Sequence, residues 1–372
     1  MTVFHVLPQF HYVNDQTIIG GYPSVVARLA AKQAVRGTDV QIVSRMPAST
    51  PFSFGDVKLV NLEATAKDSH RHPFRFAKKV FQFLRGRLTT SDSVHFHSGH
   101  AEYAAVSAVL SLVLRRRVIH TIYCPLQGGL RGVVQRVVIG VARISGVAFS
   151  GMSRNICNTL PVRAAWTPPV VDTSYFTPEH HAPNTCQIVF VGNAVPSKGL
   201  IDLLPAFVNL VDGLEGGELI RLVVTTELAR SSEHEDLQRV LADLDGTPAM
   251  SQIEWLSIVP DMRQLLAQSA IHVAPFRDTN GPSDYFMSTL EAMAMGKVCV
   301  VSDLPGMAEL VEDGVNGFVF QAGNSFELKH ALQRAIECNR AQIGEKARET
   351  VVSTCGETAV DAYNNLYGAL NA

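Results

Sequence analysis

The chain has 372 residues, of which 47% are hydrophobic and 18% are charged, a balance that excludes a disordered protein and provides for two domains. Its six cysteines form no Cys-x-x-Cys pair, and its 13 histidines show no metalloprotease-type spacing, so we expect no metal site. The start of the chain lacks the basic and apolar regions of a signal peptide, and uninterrupted apolar runs of membrane-spanning length are absent, which predicts a cytoplasmic protein.

The net charge of −2 conceals a strong asymmetry along the chain. Met1–Val170 contains 20 lysines and arginines against 7 acidic residues, whereas Val171–Ala372 contains 12 against 27. Such a division indicates that the basic half meets something anionic. The alternative is two separately solvated domains that attract each other. No recognised nucleic-acid motif accompanies the basic charge, so we expect no nucleic-acid partner.

In the first part of the chain, short β-rich apolar runs alternate with helical patterns. This alternation is typical of βαβ units around a buried parallel sheet. The predicted strands are Val3–Leu7, Val40–Ser44, Val57–Leu62, Ser93–His97, Val118–Ile122 and Gly146–Ser150, and the predicted helices are Tyr22–Arg36, Phe74–Arg87, Ala101–Leu114 and Leu130–Ile144.

The alternation pauses at Trp166–Pro183, whose four prolines exclude a regular helix or a central strand. A second series follows, with predicted strands Cys186–Gly192, Leu219–Thr225, Ile253–Leu256, Ile271–Pro275 and Val298–Ser302, and predicted helices Lys198–Val211, Glu233–Leu244, Met262–Ser269, Tyr285–Met295, Phe326–Cys338 and Ala341–Ser353. The chain is therefore predicted to be an α/β protein with two Rossmann-like, doubly wound domains that face a central cleft. We place the domains at residues 1–168 and 186–355, with a linker at 169–185 and a final segment at 356–372.

The most informative segment is residues 274–302, in which a strand, a loop rich in Gly, Pro and Asn, and a helix follow one another. The unpaired amides of Phe286, Met287 and Ser288 at the start of that helix, together with the helix dipole, would form a seat for a diphosphate. Glu291 lies one turn further and could accept two hydrogen bonds from a vicinal diol such as a ribose. The alternative is a solvent-exposed helical glutamate without a function.

Four segments together resemble the retaining GT-B glycosyltransferases of family 4, the glycosyl transferases group 1. They are Ser283–Ser302, Leu304–Phe320, Ile188–Gly199 and the Gly20-Gly21 pair before the first predicted helix. The resemblance extends to a last helix, Thr358–Leu370. It implies that residues 356–372 cross back to an acceptor-binding first domain, and that residues 186–355 bind the nucleotide sugar.

The resemblance implies a role for each matching residue. Glu291 would bind the ribose, Lys198 would neutralise the donor diphosphate, and Gly21 would let the backbone approach the phosphate. The alternative for Lys198 is a surface lysine, which is unfavourable beside a helix N-terminus without an anion. The remaining predicted donor-binding residues are Gly20, Asn193, Ser283, Asp284, Tyr285, Phe286, Met287 and Ser288.

Three positions depart from the family pattern. Ser283 replaces its first glutamate, Asn193 replaces its phosphate-binding arginine, and Tyr123 replaces a histidine near the sugar. Arg277 and Arg154 are candidates to restore the lost positive charge. Lys198, Glu291, Tyr123, His120 and His97 form the predicted catalytic set, with a position in the core as the alternative for His120.

Two further segments allow more than one interpretation. His95 and His97 share one face of a strand. The sequence leaves three roles open for them, which are metal binding, contact of His97 with the acceptor, and a structural role. In the basic segment His70–Arg87, Phe76, Val80, Phe83 and Leu84 can share a helix face. That face would suit a membrane surface or a lipid-linked acceptor, and the alternative is an ordinary helix packed on the core.

These features predict a retaining glycosyltransferase that uses a nucleotide-diphosphate sugar of the UDP or GDP type, with no cofactor and no metal. The acceptor would be a glycan, a lipid-linked molecule or a small molecule, and we favour cell-envelope or exopolysaccharide assembly. The alternatives are a small natural-product acceptor, a catalytically degenerate relative that binds nucleotide sugars, or another GT-B reaction. The protein would be cytoplasmic or peripheral on the inner face of the membrane.

Overall fold

The computed structural model describes residues 1–14, 17–19, 21–46, 55–62, 73–178, 186–213, 220–226, 235–257, 259–279 and 283–371. The chain forms two compact units. Unit 1 comprises Met1–Val170 and Cys355–Ala372, and unit 2 comprises Val171–Thr354.

Unit 1 contains a seven-stranded parallel sheet with the strand order β5-β4-β1-β6-β7-β8-β9, and a separate antiparallel pair, β2–β3. The strands are β1 (Thr2–Leu7), β2 (His11–Asn14), β3 (Thr17–Ile19), β4 (Asp39–Ser44), β5 (Lys58–Asn61), β6 (Ser93–Ser98), β7 (Val118–Ile122), β8 (Val147–Gly151) and β9 (Ala164–Trp166). The helices that connect them are α1 (Gly21–Val35), α2 (Pro73–Leu84), α3 (Ala104–Leu114), α4 (Gly129–Ile144) and α5 (Arg154–Thr159). The sequence patterns did not predict the β2–β3 pair, α5 or β9, which are too short to show a clear period.

Unit 2 contains a six-stranded parallel sheet with the order β12-β11-β10-β13-β14-β15. Its strands are β10 (Cys186–Val191), β11 (Ile220–Thr225), β12 (Ile253–Leu256), β13 (Ile271–Ala274), β14 (Val298–Ser302) and β15 (Phe318–Phe320). Its helices are α6 (Leu200–Val211), α7 (Glu235–Leu244), α8 (Met262–Gln268), α9 (Met287–Ala294), α10 (Ser325–Glu337) and α11 (Arg340–Cys355). The chain builds outward in one direction from β10 and then returns to build in the other direction from β13, so the topological switch point lies between these two strands.

Both sheets have the buried strands that the apolar runs predict. Every residue of β7, β13 and β14 is buried, as expected for strands of a parallel sheet that helices cover on both faces. The predicted α/β fold with two parallel sheets is therefore confirmed.

Helix α9 of unit 2 is anchored firmly at its C-terminal end. Arg348 of α11 donates hydrogen bonds to the carbonyl oxygens of Ala294 and Phe176, the second over 3.0 Å. Its positive charge therefore lies at the negative end of the α9 dipole. Next to it, Gly344 approaches Gly296 so closely that a Cβ on Gly344 would lie 1.9 Å from the Gly296 carbonyl oxygen.

The last helix, α12 (Glu357–Asn371), belongs to unit 1. Tyr363 and Tyr367 pack on the same apolar cluster as Val3 and Ile119. At the N-terminal end of α12, Glu357 pairs with a lysine of α1, and Glu357 and Asp361 both pair with Arg36, which follows α1 directly. The predicted final helix is thus packed against the first and central strands of the unit 1 sheet.

A buried polar network lies between the unit 1 sheet and these helices. His5 and His97 share a hydrogen bond of 2.8 Å between Nδ1 of His5 and Nε2 of His97, and His97 Nδ1 is 2.9 Å from the Tyr123 hydroxyl. The second nitrogen of His5 meets Gln33 Oε1 at 2.8 Å, and His95 Nδ1 meets the Tyr367 hydroxyl at 2.8 Å. Each of these rings is buried, and each uses both of its nitrogens, since His95 Nε2 also lies 2.6 Å from the Thr121 hydroxyl.

In the described residues, no helix is long and apolar enough to cross a membrane.

The Gly344–Gly296 contact makes a testable prediction. Gly344→Ala should destabilise the protein by about 1–3 kcal/mol, since the new methyl group overlaps a backbone carbonyl, whereas alanine normally stabilises a helix relative to glycine. Gly368→Ala, in α12 with no atom near the new Cβ, is the matched control and should leave the melting temperature equal or higher. Circular dichroism melting distinguishes the two, and equal melting temperatures for both variants would contradict the described packing.

The histidine network predicts a loss of stability in mild acid. Burial lowers the pKa of His5 to about 4 and that of His120 to about 3, and it holds the pKa values of His95 and His97 well below their usual range. The folded protein therefore keeps these rings neutral while the unfolded chain binds protons near pH 6.5. The free energy of unfolding has its full value above about pH 6.5 and falls as the pH drops toward 4, by about 3 kcal/mol for His5 alone.

Urea unfolding between pH 7.5 and 5 measures this dependence. His120→Gln should reduce the slope of stability against pH, and His330→Gln, at an exposed position on α10, should not. A stability that stays constant down to pH 5 would contradict the buried neutral histidines.

Candidate functional site

The loops that follow β10 and β13 meet at the switch point of the unit 2 sheet. Gly199 ends the first loop with a positive φ of 70°, and a Cβ at this position would lie 1.6 Å from the Pro275 carbonyl oxygen. The Arg277 amide donates a 2.8 Å hydrogen bond to the Ser197 carbonyl oxygen. Because only glycine permits both the backbone conformation and the close approach, Gly199 joins the two loops.

Lys198 precedes this glycine and points toward two aromatic rings. Its Nζ lies 3.7 Å from the centroid of the Phe276 ring and 5.7 Å from that of the Phe286 ring, and the two rings are 3.9 Å apart. Phe286 is the residue immediately before α9. The contact with the ring faces fixes the ammonium group beside the start of α9.

The N-terminus of α9 has the geometry of an anion-binding helix end. Phe286 occupies the N-cap position in an extended conformation, and it has no side-chain oxygen to accept from the first-turn amides. The first intrahelical hydrogen bond runs from Leu290 to Phe286 over 3.1 Å. The helix begins two residues later than the predicted Tyr285, so the amides of its first turn are those of Met287, Ser288 and Thr289.

Glu291 is buried, with 6% of its surface exposed. It lies on α9 one turn after Met287 and Ser288, and residues at this spacing share a helix face. The structure therefore differs from the alternative of an exposed surface glutamate. A buried carboxylate is stable only with polar partners, and contact of Glu291 with a ribose stays a prediction.

The residues before α9 are held by the segment that follows β14. Asp284 packs so tightly on Gly306 that a Cβ there would lie 2.4 Å from the Asp284 carboxyl carbon. The Tyr285 hydroxyl donates a 2.7 Å hydrogen bond to Glu309 Oε2. Both side chains are buried and support the loop, whereas Ser283 is half-buried. Ligand contact by these three residues stays a prediction.

A second cation, Arg277, lies in the same loops. Its Nε is 3.1 Å from Asp202 Oδ2, with 40% of its side chain exposed, and it follows Phe276 directly. Asn193 is exposed on the β10 loop. Arg154, the other candidate for the missing charge, instead covers the Trp166 ring at 3.9 Å in unit 1. The structure thus places Arg277 in the loops that hold Lys198, whereas Arg154 belongs to unit 1.

The predicted catalytic residues of unit 1, which are His97, His120 and Tyr123, lie in its interior. His97 and Tyr123 belong to the polar network, and His120 lies between the hydroxyl groups of Ser98 and Ser107, at 2.8 and 2.9 Å. All three are fully buried. For His120, the structure matches the alternative of a core position, and catalytic roles for His97 and Tyr123 stay predictions.

The glycine pair of the entry loop is described only in part. Gly21 is exposed and is the first residue of α1, while Gly20 lies outside the described residues. Contact of Gly21 with the donor phosphate stays a prediction.

The structure also adds His5 to the pair His95 and His97, which residue spacing placed on one strand face. One ring nitrogen each of His5, His95 and His97 lies within 4.8 Å of the others, which is a possible ligand set for a metal. Their ring nitrogens already bond to each other, to Gln33, to Thr121 and to tyrosine hydroxyls. His5 escaped the sequence reasoning because it is on β1, whereas the other two are on β6, which pairs with β1.

The basic segment of α2 is an ordinary core-packed helix. Phe76, Val80 and Leu84 are buried in the hydrophobic cluster beneath it. Residues 70–72 of the segment lie outside the described residues. Of the two alternatives that the sequence left open, the structure therefore matches the helix packed on the core, because the protein's own core covers this apolar face.

Part of the chain is similar to known proteins. Residues 185–338 match the family model described as Glycosyl transferases group 1, a range that contains Lys198 and Glu291. An uncharacterized glycosyltransferase of Methanocaldococcus jannaschii is 31% identical over 173 residues, which are 45% of this chain and 41% of that protein. The lipopolysaccharide 1,2-N-acetylglucosaminetransferase of Salmonella typhimurium is 28% identical over 171 residues, which are 45% of this chain and 43% of that protein.

The fold has close relatives among solved structures. The crystal structure of Anabaena HepE in complex with UDP aligns with a TM-score of 0.73 at 15% identity, covering 100% of this chain and 99% of that one. The two parallel sheets with their helices are therefore the GT-B fold. The chain aligns with less than half the length of the two curated relatives. The resemblance drawn from the sequence motifs is thus confirmed for the GT-B fold and for residues 185–338, which are similar to the glycosyl transferases group 1.

Proposed function

We propose that the protein transfers a sugar from a nucleotide-diphosphate sugar to an acceptor hydroxyl with retention of anomeric configuration. The position of Lys198 carries the proposal, because its ammonium group is fixed over Phe276 and Phe286 beside the N-terminus of α9. A point charge, a helix dipole and first-turn amides at one place favour a diphosphate.

Each part of the donor has a proposed partner in unit 2. The diphosphate binds the first-turn amides of α9 and Lys198, and Arg277 supplies the charge that the family's arginine would give at Asn193. Glu291 accepts hydrogen bonds from the ribose hydroxyls, and Ser283 faces the sugar. A UDP or GDP donor fits this arrangement, and the HepE structure that shares the fold contains UDP.

Catalysis in this proposal comes from position and charge. The bond between the anomeric carbon and the donor oxygen breaks as the acceptor oxygen attacks from the same face. The departing diphosphate takes the acceptor proton, while Lys198 and the α9 amides stabilise its growing negative charge. The chemistry requires neither a covalent nucleophile nor a resident cofactor, and we propose that no metal takes part.

We propose a glycan or lipid-linked acceptor of the cell envelope or of an exopolysaccharide. The excess of lysine and arginine in Met1–Val170 would favour an anionic acceptor. The similarity to a Salmonella protein named for lipopolysaccharide supports the same class. A small-molecule acceptor is the alternative, and an acceptor panel distinguishes the two.

Removal of the Glu291 carboxylate should weaken the protein's use of the donor. Glu291→Gln keeps the size of the side chain but replaces one acceptor oxygen with a donor group, so we expect kcat/KM to fall about 10–100-fold. Mass spectrometry of a panel of UDP- and GDP-sugars first identifies the donor that the unmodified protein transfers or hydrolyses. Glu345→Gln, at an exposed position on α11, is the control and should retain full activity. If Glu291→Gln is as active as the control, the ribose role is wrong.

Removal of the Lys198 charge should act mainly on the chemical step. Lys198→Met retains the apolar contact with Phe276 and loses the ammonium group, so kcat should fall about 100-fold or more because charge on the leaving group is no longer neutralised. Steady-state kinetics with the same donor measure this effect, and Lys346→Met on the exposed face of α11 is the control. A variant that raises KM alone would show that Lys198 binds the donor without assisting the transfer, which contradicts the proposed role.

A further inference from the structure

Helix α4 of unit 1 presents two different faces. Its inner face consists of Gly132, Gln135, Ile139 and Ala142, all of which are buried. Gly132 lies so close to the preceding loop that a Cβ would be 1.9 Å from the Gln127 carbonyl oxygen, and Gln135 Oε1 accepts a 2.9 Å hydrogen bond from the Gln127 amide. The helix is therefore held rigidly against unit 1 by this face.

The opposite face of α4 is apolar and exposed. Six large aliphatic side chains on this face are between 48% and 89% exposed. Their spacing of three and four residues places them in one stripe along the whole helix, opposite the buried face. An exposed stripe of this length is uncommon on a protein surface and marks an interaction site. Its members are Leu130, Val133, Val134, Val137, Val141 and Ile144.

Basic side chains border this stripe, which we call the α4 stripe. Arg131 lies on one flank of the helix, and Arg136 and Arg143 lie on the other, all of them exposed. The sequence of α4 contains no aspartate or glutamate, although Arg131 pairs with Glu102 of the preceding segment over 2.6 Å. Arginines on both sides of an apolar stripe are the arrangement by which a helix lies in a lipid interface, with its side chains reaching the headgroups.

The last turn of α3 extends the same surface. A Cβ on Gly146, just after α4, would lie 3.0 Å from the Ser111 hydroxyl of α3, so the C-terminal ends of the two helices are adjacent. Leu112 and Val113 of α3 are 61% and 47% exposed. The exposed Arg115 and Arg117 follow them directly. Apolar and basic side chains therefore continue together beyond α4.

We propose that the α4 stripe, with the end of α3, docks unit 1 on an anionic lipid surface. The aliphatic side chains enter the boundary between headgroups and acyl chains, and the arginines contact the anionic headgroups. The charge decides against a second copy of the chain as the occupant. A twofold contact would place the stripe against itself and bring the arginine borders of both copies together. The inference concerns unit 1 alone and holds for any acceptor.

Sedimentation with lipid vesicles tests this proposal on the full chain. We expect the unmodified protein to sediment with phosphatidylcholine vesicles that contain phosphatidylglycerol, and to remain largely in solution with phosphatidylcholine alone. The triple variant Leu130→Ser, Val137→Ser, Ile144→Ser should reduce the partition coefficient at least about tenfold, since it removes the aliphatic groups that enter the lipid. The double variant Arg136→Gln, Arg143→Gln should reduce binding to the anionic vesicles and leave binding to pure phosphatidylcholine vesicles unchanged.

A matched triple variant controls for surface polarity. Val315→Ser, Phe326→Ser, Val352→Ser changes three exposed apolar residues of unit 2 and should sediment like the unmodified protein. Melting curves establish that each variant is folded, which is expected because the substituted positions are exposed.

Three results would overturn the proposal. The first is that the unmodified protein stays in solution with anionic vesicles, and the second is that the stripe variant sediments as well as the unit 2 control. The third is that the unmodified protein does not bind vesicles but forms a dimer in light scattering, and that the stripe variant is a monomer. The last result would assign the stripe to a second copy of the chain.

Discussion

The contact between Gly199 and the Pro275 carbonyl oxygen is the constraint on which the proposed site depends. It fixes the loop after β10 against the loop after β13, where a side chain larger than hydrogen could not fit. Lys198 is consequently held over Phe276 and Phe286, beside the start of α9. At the other end of α9, Arg348 donates a hydrogen bond to the carbonyl oxygen of Ala294, so the helix and its dipole have one fixed direction.

The two units use polar groups in different ways. Unit 2 places its cations and Glu291 at loop ends and at a helix terminus, where a ligand could meet them. Unit 1 places His5, His95 and His97 beneath α12, where they bond to one another and to tyrosine hydroxyl groups, as the contact between His95 and Tyr367 shows. Buried networks of this kind make a packed arrangement specific, at the expense of stability when the rings must take up protons. The exposed face of α4 in unit 1 is instead apolar and bordered by arginines.

Much of the fold could be predicted from the sequence, because strand and helix periods are local properties. The motif around Glu291 could be placed on a helix for the same reason. The direction of side chains on fully buried strands could not be predicted, since both faces of β6 and β7 are covered and His97 and His120 carry no periodic signal. The sequence left open whether the apolar face of α2 is exposed or packed on the core. That face is buried, whereas the α4 stripe is exposed. Amphipathic periodicity identifies an apolar face without specifying what covers it.

The central claim is that Lys198 and the α9 amides form a seat for the diphosphate of a nucleotide sugar. Isothermal titration calorimetry of the unmodified protein with UDP and GDP, compared with UMP and GMP, tests it most directly. We predict that at least one nucleoside diphosphate binds about tenfold or more tightly than its monophosphate, because the second phosphate adds charge at the helix terminus. Equal affinities for the two phosphate forms, or no binding of either diphosphate, would contradict the account.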